Sequence, residues 1–390
     1  MRFPLAVGIA ASVAMSVVGG SHPASAASTS TNWTQEGFNG QHTGDNPAET
    51  ILTRSNVGHL VSAFSTRVNP NNPQIAGVYP DPIVAGGAVY LSNSGNGIVE
   101  AIDGATGAIK WRVTPHCYGE TTAPAFAGGQ IWIGNDDPAI SAISTGGVQI
   151  SCLPLFYAVG YGLSPPSAGN GRVYAEADDG GVGAVNATTG AILWSTNSNV
   201  GDASTPTVSA DGRAVFVGGY GSQTQQLLYK LNAATGAVMW SRDLGACSES
   251  TIVSGSMVFL NSCNTLYALS AATGSTVWQV SGADAAAVAG GLVFSGSAAY
   301  NATNGSLVWS NPTYSGGSPA VANGVVYVDA GSHIFMLNSS TGALLGTISL
   351  PSSSDASFLG AVIPVDGRVY VCSENDTTYA ISLHAYEPSS

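Results

Sequence analysis

Carboxylates stand at matching places along this chain, and they are the first residues whose type and spacing suggest chemistry. Asp81, Glu120, Asp202, Glu249, Asp284 and Asp355 precede or open apolar runs, whereas Asp136, Asp137, Asp178, Asp179, Glu374 and Asp376 follow them. Carboxylates gathered in one place can hold a hard cation such as calcium, which takes six to eight oxygens. Asp is also the ordinary residue of tight turns, so each one alone reads first as turn or solvated surface. Asp136, Asp178, Glu374 and Asp376 are kept as candidate metal ligands, and no residue is assigned a catalytic role. The six histidines, His22, His42, His59, His116, His333 and His384, have no metal-type spacing, and no Gly-x-Ser-x-Gly elbow supports a hydrolase.

The elements that would position these groups follow from a repeat. A β-branched or apolar residue beside an aromatic recurs at Tyr90, Trp132, Tyr174, Phe216, Phe259, Phe294, Tyr327 and Tyr370, at intervals of 42, 42, 42, 43, 35, 33 and 43 residues. A period in the low forties with short strands predicts an all-β propeller, each unit a four-stranded blade that buries its faces only against its neighbours. Between the third and fourth strands runs a regular turn: Asp103–Gly107, Asn186–Gly190, Asn232–Gly236, Ser270–Gly274, Asn301–Gly305 and Asn338–Gly342. Four residues beyond its Gly stand Trp111, Trp194, Trp240, Trp278 and Trp309, read as wedges between adjacent blades rather than as stacking platforms for a ligand. Repeat six is shortened in its inner hairpin but is counted as a blade; seven blades would require it to collapse into a linker. Repeat eight runs out near Leu383, and Leu60 to Arg67, with Phe64 in the Trp position, is predicted to supply its outer strand and close the ring. Eight blades over residues 60–384 follow, with a lead-in at 27–59 and a tail at 385–390.

This layout puts the inner hairpins and the connections between blades on one face around the channel mouth. The carboxylates gather there as a negative rim that attracts cations or basic partners. His333, in the inner hairpin of repeat seven, is the histidine expected to see the channel. Cys247 and Cys263 fall on that face within one blade and are expected to be bridged; Cys117 and Cys152 form a second candidate pair of weaker geometry, leaving Cys372 free and buried.

Arg2, the apolar stretch Leu5 to Val18 and the small residues Ala24-Ser25-Ala26 read as an export signal over 1–26, with no Cys placed for lipid attachment. The expectation is a secreted, extracellular or periplasmic monomer without a membrane anchor. Acidic residues outnumber basic ones by 23 to 10, which argues against a nucleic-acid groove.

Ala101-Ile102-Asp103-Gly104-Ala105-Thr106-Gly107-Ala108-Ile109-Lys110-Trp111 resembles the tryptophan-docking repeat of the pyrroloquinoline-quinone (PQQ) type β-propellers. The run Trp33 to Leu60, with His42-Thr43-Gly44-Asp45-Asn46-Pro47 and Asn56-Val57-Gly58-His59-Leu60, resembles the lead-in of secreted members. The resemblance implies either a quinoprotein dehydrogenase holding PQQ and calcium in the channel or a non-enzymatic scaffold of the BamB type. The dehydrogenases of that family pair adjacent cysteines against the cofactor. No two of Cys117, Cys152, Cys247, Cys263 and Cys372 are adjacent, and no Cys-x-x-Cys-His is present for a haem. The reading is therefore a non-catalytic binding or scaffold module for a protein or cell-envelope partner, with no cofactor. The alternatives are an oxidoreductase using PQQ or another cofactor, and a carbohydrate- or envelope-binding protein. The discriminator is a channel constellation of carboxylate, Arg or Lys and an aromatic floor.

Overall fold

The computed structural model describes residues 32–68, 81–117, 121–136, 138–156, 162–178, 180–197, 204–222, 225–245, 251–283, 287–314, 316–350, 357–375 and 380–389. Eight sheets, each built on four antiparallel strands, follow one another in chain order. The first is Ile83–Ala85, Ala88–Ser92, Val99–Asp103 and Ile109–Val113, ordered from the channel outward. The shortened repeat keeps all four strands as Ala287–Ala289, Leu292–Ser295, Ala298–Asn301 and Leu307–Ser310, its loss falling in the inner hairpin.

The eighth sheet is closed by the N-terminal side of the chain. Leu60–Val68 pairs antiparallel with Ile381–Pro388, outside Arg368–Glu374 and Ser357–Val365. The third strand thus carries on to Pro388, and Ala385 and Tyr386, expected in a tail, are buried in the core. Apolar side chains alternate into clusters between sheets: Ile83, Tyr90 and Ala101 of the first blade pack on Ile131, Ile133 and Ile143 of the second.

The turns between third and fourth strands explain the spacing of the tryptophans. Asn186 Oδ1 accepts hydrogen bonds from the backbone N–H groups of Thr188 and Thr189, and Gly190 closes the turn at φ +72°. Asp103, Asn232 and Asn301 do the same in their own turns. Each turn Gly then meets a ring from the preceding blade. A Cβ at Gly147, Gly236, Gly274, Gly305 or Gly342 would stand 3.0 Å or less from Trp111, Trp194, Trp240, Trp278 or Trp309 respectively. Each indole Nε1 donates to a carbonyl of that next turn, for example Trp309 to Ser339 O at 2.8 Å and Trp111 to Thr145 O at 2.8 Å. At the closing seam Phe64 takes the ring position against Gly107, and Thr66 Oγ1 supplies the missing donor to Gly107 O at 2.6 Å.

A disulfide joins Cys117 to Cys152 in blade two. Cys263 is also disulfide-bonded, and Cys247, named as its partner, lies outside the described residues. Cys372 is a free, buried thiol, pushed up to about 12 by burial and by the nearby Asp81 and Glu100 carboxylates.

Candidate functional site

The innermost strand of a propeller blade has one edge with no neighbour, and its N–H and C=O groups need partners. Here the lead-in supplies them, blade by blade. Trp33 exchanges two backbone hydrogen bonds with Val84 at 2.8 Å in blade one. Phe126 N then donates to Thr34 O, Ala168 N to Gln35 Oε1, Val208 N to Gly40 O and Val253 N to Gln41 O, in blades two to five. Val288 N donates to Thr43 O and Val321 N to Gly44 O, and Asn46 Nδ2 donates to Pro364 O in blade eight. Asp45–Asn46 joins the seventh sheet as a short parallel fifth strand.

Residues 33–46 therefore make one circuit of the axis and line the channel wall at that level. The circuit is tight because Gly37, Phe38, His42 and Gly44 all take positive φ, and because a Cβ at Gly40 would meet Ala168 O at 2.5 Å. Glu49 pins the exit: its carboxylate accepts from Ile51 N, Leu52 N and, in blade eight, Gly367 N.

On the side of the chain connections, a cavity of about 340 Å³ remains, walled by Trp33, Glu36, His42, Asp81, Ile252 and Pro319 among others. Two carboxyl groups share it. Glu36 Oε2 accepts from Thr205 Oγ1 at 2.8 Å, and Asp81 Oδ1 accepts from Ala361 N at 2.6 Å. Both groups reach solvent only in part. Burial, reinforced by the Asp81 charge and partly offset by the Thr205 bond, raises Glu36 to about 7. Burial raises Asp81 as well, partly offset by the Ala361 bond. His42 is the third titratable group. Its Nε2 lies 3.2 Å from Ser167 Oγ and its Nδ1 3.5 Å from Thr207 Oγ1, and burial lowers it to about 4, which leaves a neutral imidazole at pH 7.

Asp136, Asp178 and Glu374 do not line this cavity. Asp136 and Asp178, from the inner hairpins of blades two and three, both approach Gly162: a Cβ built there would lie 3.5 Å from Asp136 Oδ1 and 3.7 Å from Asp178 Oδ2. Glu374 ends the second strand of blade eight, and Asp376 lies outside the described residues, as do Glu120, Asp137, Asp179, Asp202, Glu249, Asp284 and Asp355. Among the described residues no three His, Cys, Asp or Glu side chains converge as a metal cage. Glu176, beside Asp178, is wholly buried, and burial holds its carboxyl well above the usual range.

Of the rim carboxylates singled out from the sequence, Asp81 is the one that lines the cavity among the described residues. His333 does not line it: it is exposed on its hairpin, bonded to Ser332 and stacked on Phe335, while the cavity histidine is His42. Glu36 was missed because it lies in the lead-in, outside the repeat, and nothing local marks it. The signal that could have found it is a lone carboxylate in a segment with no blade of its own to serve.

Comparison with known proteins places this geometry. A family model described as outer membrane protein assembly factor BamB matches residues 22–113, 95–223, 178–298 and 294–385. No curated protein matches the sequence. Among solved structures, the quinohemoprotein alcohol dehydrogenase ADHIIG from Pseudomonas putida HK5 superposes with a TM-score of 0.72 at 13% identity, over 92% of this chain and 80% of that one. BamB from Moraxella catarrhalis superposes with a TM-score of 0.63 at 16% identity, over 84% of this chain and 99% of that one. A europium-containing methanol dehydrogenase gives 0.69 at 13% identity, over 92% and 98%. At these identities the likeness is one of fold.

Proposed function

The chain belongs to the outer membrane protein assembly factor BamB family of PQQ-like repeat propellers, and on that footing we propose that it is a non-catalytic binding module working outside the cytoplasm. The observation that carries this reading is the lead-in circuit: the chain itself lines the channel wall at the level of residues 33–46, bonding to the inner strand of every blade. The cavity left beside it does not suit PQQ. That cofactor carries three carboxylates, and the cavity wall brings two more carboxyls and a neutral imidazole, with no Lys or Arg among the described lining residues. No cation among the described lining residues joins the carboxylates and aromatic wall, and carboxylate against carboxylate at short range disfavours such a guest.

In this reading residues 1–26 export the chain, it acts as a monomer, and its partner is a protein of the cell envelope. The test is direct. Purified protein incubated with PQQ and Ca²⁺ is expected to show no rise in thermal midpoint and no dye reduction with primary alcohols or aldoses. Saturable PQQ binding together with turnover overturns the reading. Mass spectrometry of the exported protein is expected to give a start near Ala27, and an intact Met1 to Ala26 segment contradicts export by cleavage.

A further inference from the structure

The cavity beside the lead-in is built around two acids, with no Lys or Arg among its described lining residues. Glu36 and Asp81 each give one oxygen to a fixed donor, Thr205 Oγ1 and Ala361 N, and Glu36 Oε1 and Asp81 Oδ2 accept no hydrogen bond from any described residue. A second and independent feature lies in the same wall. Trp33 is 1% exposed and lines the cavity, and its indole Nε1 has no hydrogen-bond partner among the described residues, an unmet donor of a kind that native interiors rarely tolerate. Ile252, Pro319, Ala361 and Val362 supply apolar surface between them.

These features call for a guest with a positive end, an acceptor and a little carbon. We propose that this cavity is a binding site for a primary ammonium group on a short carbon chain that also carries a hydroxyl or carbonyl, held by Glu36 and Asp81 beside Trp33. An ammonium ion offers three donors and is satisfied by two carboxylates, whereas calcium requires six to eight oxygens, and no metal cage forms among the described residues. The indole supplies cation–π attraction and a donor for the hydroxyl or carbonyl of the guest. A volume of about 340 Å³ lies at the small end of ligand pockets.

Binding is linked to protons. Glu36 is half-protonated near pH 7, and only its ionised form pairs with an ammonium, so a proton leaves as the guest enters. Of the described groups near the pair, His42 is lowered to about 4, and Cys372, which feels Asp81 and Glu100, is raised to about 12, so neither titrates between pH 6 and 8. Burial raises Asp81 in the same direction, partly offset by the Ala361 bond.

Titration calorimetry with ethanolamine, ethylamine and Nα-acetyl-lysine amide tests the site. The affinity for ethanolamine is expected to rise about tenfold from pH 6 to pH 8, the change in the ionised fraction of a group near 7. Glu36→Gln is expected to weaken binding at least about tenfold and to remove the pH step. Trp33→Phe is expected to abolish the preference for ethanolamine over ethylamine. Proton release by the wild-type protein, read in two buffers of different ionisation heat, tests the site without any variant. Tighter binding of the lysine amide points to a side chain presented by a partner protein, and tighter binding of ethanolamine to a free amine; either supports the site. No binding of any amine at pH 8, unchanged binding by Glu36→Gln, or Ca²⁺ binding at least tenfold more tightly and lost in that variant overturns it. The proposal stands apart from the scaffold reading, since PQQ turnover would sink that reading and amine binding is measured without PQQ.

Discussion

The rim of this propeller and its axis are held by opposite strategies. At the rim one device is copied: a Trp ring under the Gly of the next turn, with its Nε1 bonded to that turn, at five seams. Seams without it improvise. Gly190 of blade three meets Leu153, Ser151 and Trp132 at 3.6–3.9 Å, and Gly346 of blade seven packs on Gly58 of the lead-in. At the axis nothing is copied. A single aperiodic segment gives each inner strand a different partner, from the Thr34 carbonyl to the Asn46 amide. A repeated seam makes stability nearly additive, whereas a single thread couples all eight blades.

The largest effect is expected where the copied device is removed. Trp309→Ala takes away a ring that is 8% exposed, together with its bond to Ser339, and should cost about 3–5 kcal/mol in denaturant unfolding. A loss below about 1 kcal/mol would show that the Trp seams do not carry the ring.

A smaller effect separates space from backbone strain. Gly305 and Gly290 both have positive φ, +71° and +57°, yet a Cβ at Gly305 would meet Trp278 at 2.7 Å and one at Gly290 meets nothing within 4 Å. Gly290→Ala is expected to cost about 1–2 kcal/mol from conformation alone, and Gly305→Ala about 1–3 kcal/mol more. Equal losses would mean that ring contact is irrelevant at the seam.

The axis is probed by pH. Glu36 is raised from 4.5 to about 7, so its contribution to stability is complete below pH 4.5 and is lost as pH rises through 7; Asp45, raised to about 6 by burial, and Asp81 act in the same sense. His42, lowered from 6.5 to about 4, acts in the opposite sense, its contribution being present above 6.5 and lost as pH falls through 4. Between pH 6.5 and 7.5 the carboxyls act alone, and the thermal midpoint should fall there. Glu36→Gln should flatten that fall, and an unchanged slope would mean that Glu36 does not titrate in the window.

The smallest effect concerns a phenol at the irregular seam. The buried Tyr327 hydroxyl has no hydrogen-bond partner among the described residues, while its counterpart Tyr370 donates to Gly104 O at 2.9 Å. Tyr327→Phe should be neutral or stabilise by up to about 1 kcal/mol, whereas Tyr370→Phe should destabilise by about 1 kcal/mol. The same sign for both would show that the two seams do not differ in this respect.

The rim was legible because a seam is local: Asn186 and Gly190, then Trp194 four residues on, lie within a single turn and strand, so their spacing survives in the sequence. Closure by Leu60–Val68 was legible for a related reason, since a third strand with no fourth demands one. The end of that third strand was not: Ala385 and Tyr386 are both buried and break the in-and-out alternation of a strand, and only the pairing with Phe64 and Ser62 shows that the blade continues. The circuit of residues 33–46, the pairing of Glu36 with Asp81 across 45 residues, and the choice of His42 over His333 belong to the tertiary structure alone. The physical reason is periodicity. Blade contacts recur at one sequence distance and write themselves as a repeat, whereas a thread that meets each blade once joins residues at eight different separations and leaves no pattern to read.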